Sequence, residues 1–254
     1  MNEWVELMLR ELDELRRPSG HIGLVRRYLR GEHDIPYMPK DADGEFTALA
    51  RQSITNFLPL ITGTFGRHLY VDGYRSGRSA DNAEAWEVWT ANRMQARQSI
   101  TMQGAIDYGT SYVIVEREKI RPLNPRKSLA WYEDHDAEFP LAALAETGVR
   151  YDQNGNVWVR YEFWHGGEVY FFERASGRRL GSADDPGRPR DGDEPEFGKL
   201  VEVGAPRQHG ESFVPWVRFR DRLDDEAQGV VRPLIDAQNR VNASVFYLLM
   251  ALHY

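Results

Sequence analysis

The sequence has no cysteine, which excludes disulfides, thiolate nucleophiles and cysteine-ligated zinc. It has no excess of basic charge either: 32 lysines and arginines stand against 39 aspartates and glutamates, a formal net charge of −7. A domain that grips duplex DNA through its phosphates carries the opposite sign. No run approaches the ~20 apolar residues that cross a bilayer. The most apolar stretch, "VFYLLMAL" ending at Leu252, is too short. The opening "MNEWVELMLRELDELRR" breaks its apolar positions with acidic ones, unlike a signal peptide. Catalytic signatures are also missing. There is no GxxxxGK[ST] phosphate loop, no GxGxxG after a strand, no HExxH and no GxSxG. None of the seven histidines pairs with another at metal-ligand spacing.

What is present is an ordinary globular composition. The chain has 254 residues, 41% hydrophobic and 28% charged, enough for one large domain or two small ones. Trp4, Val5, Met8, Leu9, Leu12 and Leu15 fall at helical steps, and Pro18 and Gly20 end that helix. A short helix over Gly23 to Leu29 follows, then an extended acidic connection, "GEHDIPYMPKDADGE". Phe46, Leu49, Ala50, Ile54, Phe57, Leu58 and Ile61 form a stripe that Pro59 should kink or split. "LYVDGYR" reads as a strand and its exit. Asp81 is placed to cap a helix carrying Trp86 and Trp89, and a further helix spans about Asn92 to Tyr108 with Gly109 as its C-cap.

The middle carries strand signals in "SYVIVE", "LAWYED", "VWVRYEFW", "EVYFFER" and "FVPWVRFRDRL". "DQNGN" and "HGG" are the turns between them. The segment from about Gly181 to Phe197 is charged and rich in proline and glycine, and reads as a mobile surface loop. A terminal helix begins near Val231 or Pro233, with a seam of Leu234, Val241, Val245, Leu248 and Leu252. The fold class is therefore α+β, with helices first, a β-rich middle and one long terminal helix.

Two acidic groups invite a chemical reading. "EDHDAE" gathers Glu133, Asp134, His135, Asp136 and Glu138, which could attract a divalent ion, but a solvated turn explains it more simply. "GEHD" holds Glu32, His33 and Asp34, conceivable as an acid–base pair, yet better explained as a helix-exit turn whose side chains satisfy backbone groups. Trp86 and Trp89 could stack on bases, and "FWHGGEVYFF" could hold a sugar, but aromatics at these spacings are usually core. An uncharacterised metal-dependent enzyme and a helix-mediated interaction protein therefore stand as alternatives.

Four stretches in this order carry a resemblance. They are "YLRGEHDIPYMP", "LARQSITNFLPLITGTFGRHLYVDGYR", "WTANRMQARQSITMQGAIDYGTSYVIV" and "FVPWVRFRDRLDDEAQGVVRPLIDAQNRVNASVF". Together they resemble portal proteins, the head-to-tail connectors of long-tailed phages infecting Gram-positive and especially actinobacterial hosts. The resemblance implies a structural ring subunit, a dodecamer in the full-length family, at one capsid vertex. It implies a channel that passes DNA during packaging and ejection without sequence-specific binding. It also implies docking of terminase, scaffold or capsid and head-completion proteins, with no cofactor, no metal and no membrane. Localisation would be the virion, and the host cytoplasm during assembly. Residues 1–229 would form a wing-like domain and 230–254 the start of a stem helix, the seam then packing between subunits. The family chain continues into a clip, a second stem helix and a crown, so the ending at Tyr254 reads as a cut after the first stem helix.

Overall fold

The computed structural model describes residues 1–36, 44–75, 82–179, 198–223 and 226–253. Asp81 and the proposed loop 181–197 lie outside the described residues. The architecture is α+β, with N-terminal helices, a β-rich middle and a long C-terminal helix. The helices are α1 (Asn2–Arg16), α2 (His21–Leu29), α3 (Gly44–Gln52), α4 (Leu58–His68), α5 (Ala83–Ala91), α6 (Met94–Tyr108) and α7 (Val231–His253). The strands are β1 (Thr110–Glu116), β2 (Lys119–Pro122), β3 (Ser128–Trp131), β4 (Ala142–Tyr151), β5 (Asn156–His165), β6 (Glu168–Arg179), β7 (Leu200–Glu202), β8 (Arg207–Gln208) and β9 (Trp216–Arg220). The chain divides into two compact units. A sheet unit holds Met1–Asp13 and Ile114–Arg218, and a helical unit holds Glu14–Val113 and Phe219–Tyr254.

In the sheet unit, antiparallel strands run in the order β3-β4-β5-β6-β7, with β8 also on β6. One face of this sheet is covered by α1. Trp4 packs on Trp131 and His165, Trp131 Nε1 donates to Glu11 at 2.7 Å, and Arg174 pairs with Asp13. Val5, Met8, Leu9 and Leu12 supply the buried stripe of α1. Strand β4 has no strand signal in its Ala-rich sequence, because alanine is a poor strand former. Register explains it: Ala143 lies opposite Trp164 and makes room for that buried ring, while Leu144 packs opposite Phe163. Across the pleat, Glu173 is buried and held by both Arg150 and Arg160. The Arg150 bond, reinforced by Arg160, keeps its carboxyl below the usual range despite desolvation.

The helical unit is assembled differently. Its apolar cluster of Val25, Tyr28, Leu58, Val231 and Ile235 joins α2, the start of α4 and the start of α7. The stripe centred on Pro59 is indeed split. α3 stops at Gln52 and α4 restarts at Leu58 with Pro59 in its first turn, where a missing N–H costs nothing. The segment 69–75 is not a strand, contrary to its alternating sequence. Its Val71 N–H and C=O are both taken by the buried side chain of Gln98 on α6, at 2.7 and 3.4 Å, rather than by a neighbouring strand. Asn82 caps α5 by accepting from Ala85 N–H. Tyr74, Trp86 and Trp89 form one aromatic group, with Trp89 buried and Trp86 half-buried.

The entrance to α7 is a backbone crossing. Gly109 ends α6 with φ of 85° and Gly229 precedes α7 with φ of 74°. A Cβ on Gly109 would lie 2.6 Å from Ala227 C, and one on Gly229 would lie 2.4 Å from Asp107 O. Val230 N–H bonds to Ile106 O at 2.7 Å, Asp221 N–H to Gly109 O at 3.0 Å, and Gly229 N–H to the Asp221 carboxylate at 3.0 Å. Only glycine supplies both the left-handed backbone and the missing side chain. Gly63, in the middle of α4, meets nothing within 4 Å. We expect Gly109→Ala and Gly229→Ala each to cost roughly 2 kcal/mol or more, and Gly63→Ala to gain about 0.5–1 kcal/mol. Urea titration of the three variants is the check; an unchanged midpoint for both crossing variants would remove the crossing as a constraint.

Candidate functional site: the terminal helix and its polar anchor

At ~1.5 Å per residue the 23 residues of α7 span about 34 Å. Its buried row is Val231, Ile235, Gln238, Asn242 and Phe246. Two members of that row are amides, and each meets a specific need. The chain between α3 and α4 is neither helix nor strand, so its backbone groups require partners. Gln238 Nε2 donates to Thr55 O at 2.6 Å, and its Oε1 accepts from Phe57 N–H at 3.2 Å. Asn242 Oδ1 accepts from Thr55 N–H at 3.2 Å and from Gln238 Nε2 at 3.0 Å. Asn242 Nδ2 reaches His33 Nδ1 at 2.9 Å, and His33 Nε2 reaches Tyr28 O at 2.9 Å.

The phenol of Tyr28 extends the anchor. It lies 2.9 Å from Asp34 Oδ2 and 3.0 Å from Asn239 Oδ1. One proton serves only one acceptor, and the carboxylate is the stronger. Burial, and then the Asp34 contact, push the phenol above its ordinary range, against the opposing Asn239 bond, so it stays protonated. Burial acts to raise Asp34, but the bonds from Arg27 and Tyr28 outweigh it and the carboxyl titrates below its usual value.

The predicted seam residues lie on other faces of α7. At 100° per residue, Val241, Val245, Leu248 and Leu252 form a row about a quarter turn from the buried one. Val241 is 39%, Leu248 59% and Leu252 76% exposed, and Val245 is half-buried. Leu234 shares their direction but packs against the apolar cluster.

The two acidic motifs sit in different surroundings. Glu133, Asp134, Asp136 and Glu138 are exposed, and the turn carrying them is held by Arg218, which donates to His135 O at 2.6 Å and lies over the Tyr132 ring. Among the described residues no group of three or more His, Asp and Glu is placed to hold a metal ion. In "GEHD", His33 satisfies a backbone carbonyl and stacks on Tyr28 at 4.7 Å. Sequence reasoning missed Gln238 and Asn242, whose only signal was their i, i+4 spacing in line with Val231 and Ile235.

What the geometry offers is a helix seated by one face and largely exposed along another. The chain belongs to the phage portal protein family. The family model that matches is described as phage portal protein, SPP1 Gp6-like, and it covers residues 13–254. Comparison with curated proteins gave no match. Portal proteins are structural components rather than enzymes. Among the described residues no helix is long and apolar enough to cross a membrane.

Two outcomes follow from the anchor. Replacing Gln238 by Leu leaves Thr55 O and Phe57 N–H unpaired, and should cost roughly 2–4 kcal/mol, whereas Val241→Ser should stay within about 0.5 kcal/mol. Chemical denaturation distinguishes the two. The second concerns Asp107, a partly buried carboxyl whose pKa is raised by burial, offset in part by bonds from Gln103 and Thr62. A carboxyl raised in the folded state adds stability below its unfolded pKa and loses it as pH rises through the folded value. Asp107→Asn should therefore raise the melting temperature at neutral pH. The gain should vanish on acidification below the ordinary carboxylate range, and a gain independent of pH would contradict this.

Proposed function

We propose that this chain is a portal subunit of a long-tailed phage of Gram-positive, in particular actinobacterial, hosts. Residues 1–229 serve as the wing-like body and 230–254 as the beginning of a stem helix. Copies assemble into a ring at one capsid vertex, a dodecamer as in the full-length family, and the ring passes DNA during packaging and ejection. Terminase, scaffold or capsid proteins and head-completion proteins dock on it, in the host cytoplasm during assembly and then in the virion. The row of Val241, Val245, Leu248 and Leu252, with Leu234 at its start, is the surface that packs against a neighbouring subunit.

The observation that carries this reading is the bare apolar row on a helix already anchored by another face, in a chain of the portal family. Apolar surface of this kind favours association. Charge supports the passive role toward DNA: the helical unit holds as many acidic as basic residues, and the whole net charge of −7 falls on the sheet unit. Neither offers the phosphate-binding excess of a DNA-gripping protein.

Native mass spectrometry from about 1 to about 50 µM tests the assembly, in the range where weak protein contacts populate. The expected result is a concentration-dependent set of oligomers built through this row. Leu248→Lys combined with Leu252→Lys should shift it to monomer with little change in melting temperature. A strictly monodisperse monomer for the unaltered chain would refute the packing role of this row. A clean dodecamer unaffected by the lysines would move the assembly determinant to the wing.

A further inference from the structure

Two histidines touch α7, and hydrogen-bond polarity fixes where the proton sits on each. At the first turn of α7, Arg232 Nη1 lies 3.1 Å from His21 Nδ1. A guanidinium can only donate. His21 Nδ1 is therefore the acceptor, and the ring proton is on Nε2, which donates to Tyr108 O at 2.8 Å. About three turns further on, the Thr55 backbone N–H fixes the Asn242 amide with Oδ1 toward Thr55. Asn242 Nδ2 then donates to His33 Nδ1, and His33 Nε2–H donates to Tyr28 O. The same arrangement occurs twice: each ring takes one bond from α7 at Nδ1 and gives one to a carbonyl outside α7 at Nε2.

We propose that His21 and His33 form a proton-sensitive latch on α7, closed when both rings are neutral and opened by protonation. A proton added to His33 Nδ1 sets N–H against the Asn242 N–H. A proton added to His21 Nδ1 sets N–H against the Arg232 guanidinium, and adds a like charge. A charged ring and the bond it receives from α7 are therefore incompatible at both positions. Histidine is the side chain suited to change charge between pH 5 and 8.

The surrounding groups do not restore the lost bonds. The elements around the rings carry Glu14, Arg16 and Arg17 at and just after the end of α1, Arg26, Arg27 and Tyr28 on α2 with Arg30 at its C-cap, Glu32 and Asp34 after it, Asp107 and Tyr108 at the end of α6, and Arg232, Asp236 and Arg240 on α7. The connection 53–57 carries no titratable side chain. Asp34 is the carboxylate beside His33, but its oxygens bond Arg27 and Tyr28 and neither nitrogen of the ring. The latch does not depend on the portal reading, because it concerns how α7 is held within one chain.

Hydrogen exchange of the full chain tests it, read as protection factors so that the intrinsic pH dependence of exchange is removed. Protection of the α7 amides from Ile235 to Phe246 should fall at least about tenfold between about pH 7.5 and about pH 5. The double variant His21→Gln, His33→Gln should hold its protection, because glutamine offers a donor and an acceptor at any pH. Asn242→Asp should lose less protection around residue 242 than the unaltered chain on acidification, since a carboxylate can accept from a charged His33 while still accepting from Thr55 N–H, whereas the His21 contact is left unchanged. Asp107 titrates in the opposite sense in every variant, so the comparison cancels it. A flat profile for the unaltered chain, or parallel profiles for it and the double variant, would overturn the latch. Should the double variant not fold, imidazole nitrogen resonances of the unaltered chain decide: Nε2–H tautomers for both rings near pH 7.5 support the latch, and an Nδ1–H tautomer at either overturns it.

Discussion

Unpaired backbone is the constraint on which the helical unit depends. Its chain leaves helical geometry at 53–57 and again at 69–75, and no sheet receives the freed N–H and C=O groups. A buried peptide group without a partner costs as much as several ordinary contacts return. Three buried amides meet this need: Gln98 at Val71, and Gln238 with Asn242 at Thr55 and Phe57. A primary amide suits the task because it carries a donor and an acceptor on one planar group, as a strand residue does. The long helix is thus seated by surrogate peptide groups as much as by its apolar first turns.

The two units solve burial in contrasting ways. The sheet unit relies on aromatic mass, with Trp164, Phe163 and Phe172 fully buried and α1 laid over one face. Among its described residues the buried carboxylate of Glu173 has two arginine partners. The helical unit has a small apolar cluster and a larger share of directed polar contacts. Apolar packing tolerates small shifts, whereas a hydrogen-bond chain of fixed polarity does not. The position of α7 is therefore specified closely, while its Val241–Leu252 row is free of that chain.

Much of this was readable in advance, and the failures share a cause. Pro59 announced the split, Gly109 the end of α6, and Pro233 the first turn of α7, because each acts through its own backbone. Strand β4 was not readable, since Ala143 and Leu144 become strand residues only opposite Trp164 and Phe163. The segment 69–75 has strand spacing, yet a side chain 27 residues downstream of Val71 took that residue's backbone bonds. On α7 the apolar residues at 241, 245, 248 and 252 drew attention, while the inward amides looked like solvent-facing positions. Local signals show where elements begin and stop; partners distant in sequence decide which polar residues turn inward.

The glycine crossing also bears on the order of folding. Residues 114–218 interrupt the helical unit, so its two parts are separated in synthesis by the entire strand-rich stretch. The sheet unit has all its residues once Arg218 is made. The bond from Val230 to Ile106, and the close approach of Gly229 to Asp107, can form only later. On the ribosome the 53–57 connection is made well before its partners Gln238 and Asn242, with the whole inserted unit between them. The long-range closure that completes the helical unit is therefore among the last events, and it brings together positions far apart in the chain, which is the slow kind of contact to make.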